Sequence, residues 1–228
     1  MIDLNCDMGE LPDAALEAAL MEQITSANIA CGEHAGDDAT MERTVRLALQ
    51  RGVRIGAHPG YPDRANFGRV EMDLPAEAVA DTVYQQIQRL GAIVKRLGGE
   101  IEYVKPHGAL YNAAVRNEAV ARSIGEGVAR WNPSATVFGL AGSPMLRVWR
   151  RMGLNAAGEA FADRQYEPDG TLRSRKLPGA LITDPRAAAV QALRLAREGN
   201  AQTICVHGDT PGAVEILKSC REALLYEA

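Results

Sequence analysis

Short apolar runs alternate with longer amphipathic ones along the chain. The short runs predict strands over 2–6 (IDLNC), 26–31 (SANIAC), 53–57 (VRIGA), 101–105 (IEYVK), 136–140 (TVFGL), 154–160 (LNAAGEA) and 203–206 (TICV). Between them, apolar positions recur at helical spacing. In TMERTVRLALQRG (40–52) they fall at 41, 45, 47, 48 and 49, with Gly52 as the stop. The stretch 75–99 opens on a proline and closes on a glycine pair. Segments 117–131, 143–153, 184–199 and 210–227 read the same way. Their dipeptides SP, DP and TP put a capping side chain just before a proline at the first helical position.

About seven strand–helix units predict an α/β fold with a parallel sheet, and a barrel accounts for the repeat better than an open sheet. No linker, low-complexity tract or internal repeat divides the chain, so a single domain over 1–228 is expected. Segment 161–181 (FADRQYEPDGTLRSRKLPGAL) is too long and polar for a tight turn. Its PDG marks a bend, and a short hairpin or binding loop over the barrel mouth is expected.

Composition narrows the function classes. With 46% hydrophobic and 24% charged residues, the 228-residue chain can bury a sizeable core. A net charge of −4 gives no electrostatic reason to expect nucleic acid or an anionic membrane as partner. No apolar run approaches the roughly 20 residues needed to cross a bilayer. The N-terminal MIDLNCDMGE has neither the basic nor the apolar region of a signal peptide, so a cytoplasmic location is expected. Cys6, Cys31, Cys205 and Cys220 show no CxxC spacing and read as reduced, packed thiols.

The four histidines carry the strongest chemical signal. His34 follows NIACGE, His58 follows RIGA, His107 follows YVKP and His207 follows TICV. Each lies at or just past the carboxyl end of a predicted strand, the face where β/α barrels build active sites. Acidic residues fall in the same places: Asp7 and Glu10, Asp37 and Asp38, Asp63, and Asp209. In YVKPHGALYN, Pro106 forces extended backbone on Lys105 and Gly108 lets the chain turn, so His107 is presented at a bend. Taken singly, each histidine is a hydrogen-bonded structural residue; four on one face indicate a shared site. Asp7, His58 and His107 are candidate ligands of a divalent metal, or an acid, a base and an orienting partner without one. Arg164 and Lys105 are the cationic candidates for a carboxylate or phosphate, and Tyr61 is a candidate pocket wall.

In order, the segments DLNCDMGE, TSANIACGEHAGD, GAHPGYPDRANFGR, VKPHGALYN, FADRQYEPDGTLRSR and ICVHGDTPGAVEI resemble the LamB/YcsF family, the A subunits of bacterial 5-oxoprolinases. They span residues 3 to 216, nearly the whole chain. The resemblance implies a distorted (β/α) barrel of about seven parallel strands, akin to glycoside hydrolase and deacetylase folds. It also implies ATP-dependent opening of 5-oxo-L-proline to L-glutamate with partner subunits B and C. ATP is then a co-substrate of the complex, because this chain carries no P-loop of its own. Self-association into a homo-oligomer is left open.

On that resemblance, Asp7 and His107 are expected to form the general base pair, His58 to act as metal ligand or oxyanion stabiliser, and His207 with Asp209 to relay protons. Asn5, Asn28, His34, Lys105, Tyr111 and Arg164 are expected to bind substrate. Two other readings remain: a metal-dependent deacetylase-like amide hydrolase, and a non-catalytic ligand-binding subunit of a hydrolase complex. The sequence departs from the family pattern at GELPDAALEAAL, which lacks the usual longer loop, at Glu33, which stands where the family has an aromatic residue, and in a shortened connection before TICVHGDTP.

Overall fold

Polar and apolar residues alternate within the first strand, DLNCDM, and that alternation sets up the molecule. Leu4, Cys6 and Met8 pack outward among the helices, while Asp3, Asn5 and Asp7 hydrogen-bond across the inside of the sheet. A computed structural model describes residues 2–225. Its seven strands are β1 (Asp3–Met8), β2 (Ser26–Ala30), β3 (Arg54–His58), β4 (Tyr103–Val104), β5 (Thr136–Leu140), β6 (Asn155–Phe161) and β7 (Thr203–Cys205). All neighbouring strands run parallel, and β7 pairs back onto β1 through Asp3–Thr203, Leu4–Ile204 and Asn5–Cys205, closing the barrel.

The helices are α1 (Ala14–Met21), α2 (Asp38–Arg51), α3 (Ala76–Arg96), α4 (Gly108–Arg116), α5 (Glu118–Trp131), α6 (Pro144–Arg151), α7 (Pro185–Arg197) and α8 (Ala213–Leu225). The hydrophobic pattern did not mark α1 or α4. The first is only eight residues long, and the second starts directly at the glycine read as a bend. The end of the helix expected over 210–227 lies outside the described residues.

Local chemistry explains several helix ends. Asp13, Asp37, Asn117 and Asp184 accept hydrogen bonds from backbone N–H groups in the first turns of α1, α2, α5 and α7. Gly52 ends α2 in the left-handed conformation (φ 64°). Two expected caps are not made: Ser143 forms no side-chain bond to α6, and the Thr210 hydroxyl donates to Asp163 at 2.6 Å. Among the described residues no helix is long and apolar enough to cross a membrane.

The barrel interior is unusually polar. Asn5, Ser26, Asn28, Lys105, Glu159 and Thr203 are all buried there, where β/α barrels ordinarily stack branched apolar residues. They satisfy one another: Asn28 donates to Asn5 (2.7 Å) and Asp7 (2.8 Å), Asn5 donates to Thr203 (2.6 Å), and Tyr103 donates to Asn28 (2.8 Å).

Candidate active site

At the carboxyl end of the strands lies a cavity of about 470 Å³. Asp7, His58, Lys105, His107, Tyr111 and His207 line its floor, and arginines line its rim. The segment 161–181 forms one wall. Antiparallel bridges Arg164–Leu181 and Tyr166–Leu172 make it a short hairpin, one of the two forms expected there, with Arg164, Arg173 and Arg175 facing the cavity.

Asp7 sits where β1 meets the cavity. Its Oδ1 lies 2.9 Å from Lys105 Nζ and 3.5 Å from His58 Nε2. Burial opposes its ionisation, but His58 and Lys105 hold the carboxyl well below the ordinary range. Lys105 Nζ is also 2.9 Å from Glu159 Oε1. Burial disfavours the ammonium too, yet Asp7 and Glu159 hold its pKa well above the usual value. Lys105 is thus a buried counter-ion to two carboxylates, and Arg164 is the freer cation. Arg164 is buried, donates to the Arg173 carbonyl at 2.6 Å, and has no carboxylate partner among the described residues. Burial, with Arg175 nearby, pulls its pKa down to about 10.

His207 faces the cavity stacked on Phe161, with ring centroids 5.3 Å apart. Its Nδ1 lies 3.0 Å from Asp163, and its backbone N–H donates to the same carboxylate. Burial would raise the Asp163 pKa, but His207 and the Thr210 hydroxyl hold it low. The expected relay partner, Asp209, is instead engaged by Arg69 and by Arg175, the latter at 2.8 Å. Asp209 lies two residues past His207, but the turn there sends its carboxylate outward to the arginines.

The other three histidines gather around Glu10. Glu10 Oε1 is 2.9 Å from His34 Nε2, 3.2 Å from His107 Nδ1 and 3.7 Å from His58 Nε2. Burial opposes its charge, but His107 and His34 hold its carboxyl far below the ordinary range. His107 Nδ1 and His58 Nε2 are 3.0 Å apart. His58 Nδ1 donates to the Lys105 carbonyl (2.7 Å) and His107 Nε2 to the Phe67 carbonyl (2.9 Å), so each ring carries a proton on its far nitrogen; burial opposes a charge on His58, but Asp7 raises its pKa. Burial pushes the His34 pKa down to about 4, so this ring is neutral. Gly60 and Gly68 back the cluster: a Cβ at Gly68 would lie 2.8 Å from His34 Cβ and 2.9 Å from His107 Cδ2.

The ligand atoms of Glu10, His34, His58 and His107 all lie within 4.8 Å of one another. Asp7, expected among the metal candidates, groups with Cys205 and His207 instead, and no ion pair joins it to His107. His107, expected as the base partner of Asp7, faces Glu10 and His58. Asn5, Asn28 and His34, expected to touch substrate, are buried beneath or behind the cavity and do not line it. Asn28 donates to Asp7 and to Asn5, and His34 meets Glu10. Tyr61 packs in the core rather than walling the cavity, and Glu33 lies outside it. Tyr111 does line the floor, and burial with Glu159 close by pushes its hydroxyl pKa well above the ordinary value. Three site residues were missed: Glu10, Glu159 and Asp163. Glu10 carried a signal, as an acid after a strand; the other two lie at or near the end of β6, where the sequence offers no histidine to draw attention.

The LamB/YcsF family model matches residues 2–228. The chain belongs to the LamB/YcsF family. This LamB/YcsF protein is 44% identical to the A subunit of the Brevibacillus brevis 5-oxoprolinase, an alignment covering 98% of this chain and 94% of that protein. It superposes on the lactam utilization protein of Thermus thermophilus with a TM-score of 0.91 at 39% identity, covering 99% and 96% of the two chains. A family 4 carbohydrate esterase from Streptomyces lividans shares the fold alone, with a TM-score of 0.52 at 12% identity over 99% of this chain and 88% of that one.

Proposed function

We propose that this chain is the A subunit of an ATP-dependent 5-oxoprolinase and houses the step in which water opens the lactam ring. An unstrained five-membered lactam is a weak electrophile with a poor leaving group, so hydrolysis needs prior activation. Partners B and C supply that activation at the expense of ATP, consistent with a chain that has no P-loop. The observation that carries the reading is one cavity holding both an Asp163-oriented His207 and the unpaired cation Arg164.

In this reading, Arg164 holds the substrate carboxylate or a phosphate by charge-assisted hydrogen bonds. His207 takes a proton from the attacking water through Nε2, while Asp163 fixes the imidazole through Nδ1. With the carbonyl oxygen phosphorylated beforehand, the ring C–N bond then breaks, His207 returns the proton to the departing nitrogen, and a second water releases the phosphoryl group as inorganic phosphate, leaving the carboxylate. Lys105 keeps Asp7 ionised at the cavity floor, where its field stabilises the imidazolium that forms on His207.

The test is reconstitution. The chain mixed with subunits B and C, ATP and 5-oxoproline is expected to release glutamate, and the isolated chain to release little or none. Robust ATP-free hydrolysis by the isolated chain would contradict the division of labour. In the assembled complex, His207→Ala is expected to lower kcat about 100- to 10,000-fold, the range for loss of a general base. Unchanged turnover would leave catalysis to the partners and give this chain a ligand-binding role.

A further inference from the structure

We infer that Glu10, His58 and His107 form a binding site for a first-row divalent metal ion, opening on the cavity through the two histidines. The His58 Nε2, His107 Nδ1 and Glu10 Oε1 atoms make a triangle with sides of 3.0, 3.2 and 3.7 Å. Three ligands at the 2.0–2.1 Å bond lengths typical of such ions stand ~3.3 Å apart in tetrahedral geometry. The spacing therefore fits one shared ion.

Hydrogen-bond direction is the second, independent observation. The far nitrogens of both rings are committed as donors to backbone carbonyls, Lys105 for His58 and Phe67 for His107. When neutral, each ring therefore turns a bare lone pair into the triangle, at 3.0 Å from the other and beside a carboxylate. Three electron-rich atoms at such separations repel unless a cation lies among them. A proton bridges two points along a line, whereas near-equal sides suit an ion that takes three ligands at once. Orientation of each ligating ring by a carbonyl on its far side is the usual support of a histidine metal site.

His34 is a positioning residue rather than a ligand. Its ring stacks on His107 with centroids 3.8 Å apart and planes 4° from parallel, so the two in-plane lone pairs cannot meet at one ion. Its Nε2 donates instead to Glu10 at 2.9 Å, and its Nδ1 is buried with no partner. Two imidazoles and one carboxylate, with the cavity side open, are the donor set of mononuclear sites that keep positions for water or substrate. The ligand set differs from the one expected from the sequence: Glu10 takes the place of Asp7, whose Oδ1 is engaged by Lys105 and Asn28.

The experiment strips the full-length protein with chelator, dialyses it against zinc chloride and counts bound metal by mass spectrometry. Wild type is expected to hold about one zinc per chain, and Cys205→Ser to hold the same. Glu10→Gln and His58→Ala are expected to lower affinity at least about tenfold, and His34→Ala about 10- to 100-fold, as loss of a supporting residue does. Cobalt(II) loaded into wild type gives a second readout should a variant fail to fold: visible ligand-field bands without a thiolate charge-transfer band are expected. No zinc above background leaves a shared proton only and overturns the site. Undiminished binding in Glu10→Gln, or a thiolate band pointing to Cys205, overturns it as well. These readouts do not depend on turnover. Glutamate release by the chelated complex without metal binding would sink this inference and leave the lactam-opening reading intact; metal binding without glutamate would do the reverse.

Discussion

Lys105 is flanked by Asp7 and Glu159, both buried and both 2.9 Å from its ammonium. Removing one partner of a buried pair leaves an uncompensated charge, so Lys105→Met is expected to lower stability by about 3–5 kcal/mol, read from a urea unfolding midpoint. Asp163 is the corresponding anchor for His207. Asp163→Asn is expected to cut kcat of the reconstituted complex steeply while leaving KM within about twofold, because a wrongly oriented imidazole damages proton transfer rather than binding. The same carboxylate bears on acid stability. The folded pKa of Asp163 is depressed, and so is that of Asp209 beside Arg175 and Arg69. Their contribution is therefore present above the unfolded carboxyl value near ~3.9 and is lost as pH falls through the folded values. Stability measured by circular dichroism is expected to decline below about pH 4. The thiols behave oppositely to a reactive nucleophile. Burial pushes Cys31 and Cys220 up to about 12, and Cys6 and Cys205 are raised as well. Labelling at about pH 8 is expected to be negligible until denaturant unfolds the chain, when all four react.

Helices and strands follow the hydrophobic pattern wherever a run is long enough to show its period. The 21-residue α3, with its proline start and glycine stop, was legible, and so was the eight-residue α6 behind its Ser-Pro start; α1 is equally short and has no proline to mark its start. Close packing between elements left no mark on the pattern at all. A Cβ at Gly127 on α5 would lie 2.5 Å from the Ala80 carbonyl of α3, and one at Gly139 on β5 would lie 2.6 Å from the buried Trp149 of α6. Backbone cannot yield as a flexible side chain does, so Gly127→Ala is expected to push α3 from α5 and destabilise by about 1–3 kcal/mol, seen as a lower Tm. Segment 161–181 was legible as a hairpin or binding loop from its length, its polarity and the PDG bend. Its role in bringing three arginines to the cavity was not, since a turn signal fixes a bend and not its direction.

Across the whole molecule, a net negative chain presents a cationic mouth. Arg69, Arg164, Arg173 and Arg175 line the cavity although acids outnumber bases by four overall, 29 against 25. Such local concentration of positive charge attracts anions, and screening weakens it. The KM of the assembled enzyme for 5-oxoproline is therefore expected to rise with salt between about 50 mM and 500 mM at nearly constant kcat.

The linear chain carried the alternation that makes a β/α barrel and the placement of every histidine at a strand end, because both depend on local period and local backbone chemistry. It could not carry the partition of those histidines. In the barrel, parallel strands β1 to β4 bring Glu10, His34, His58 and His107 to one cluster, while β6 and β7 pair His207 with Asp163, 44 residues away. Sequence neighbours such as His207 and Asp209 would share a face if the strand continued, and they diverge because the chain turns at 208–209. Distant carboxylates become partners because strand pairing sets which strand ends are adjacent: β6 beside β7 for Asp163 and His207, and β1 to β4 side by side for Glu10 and the other three histidines.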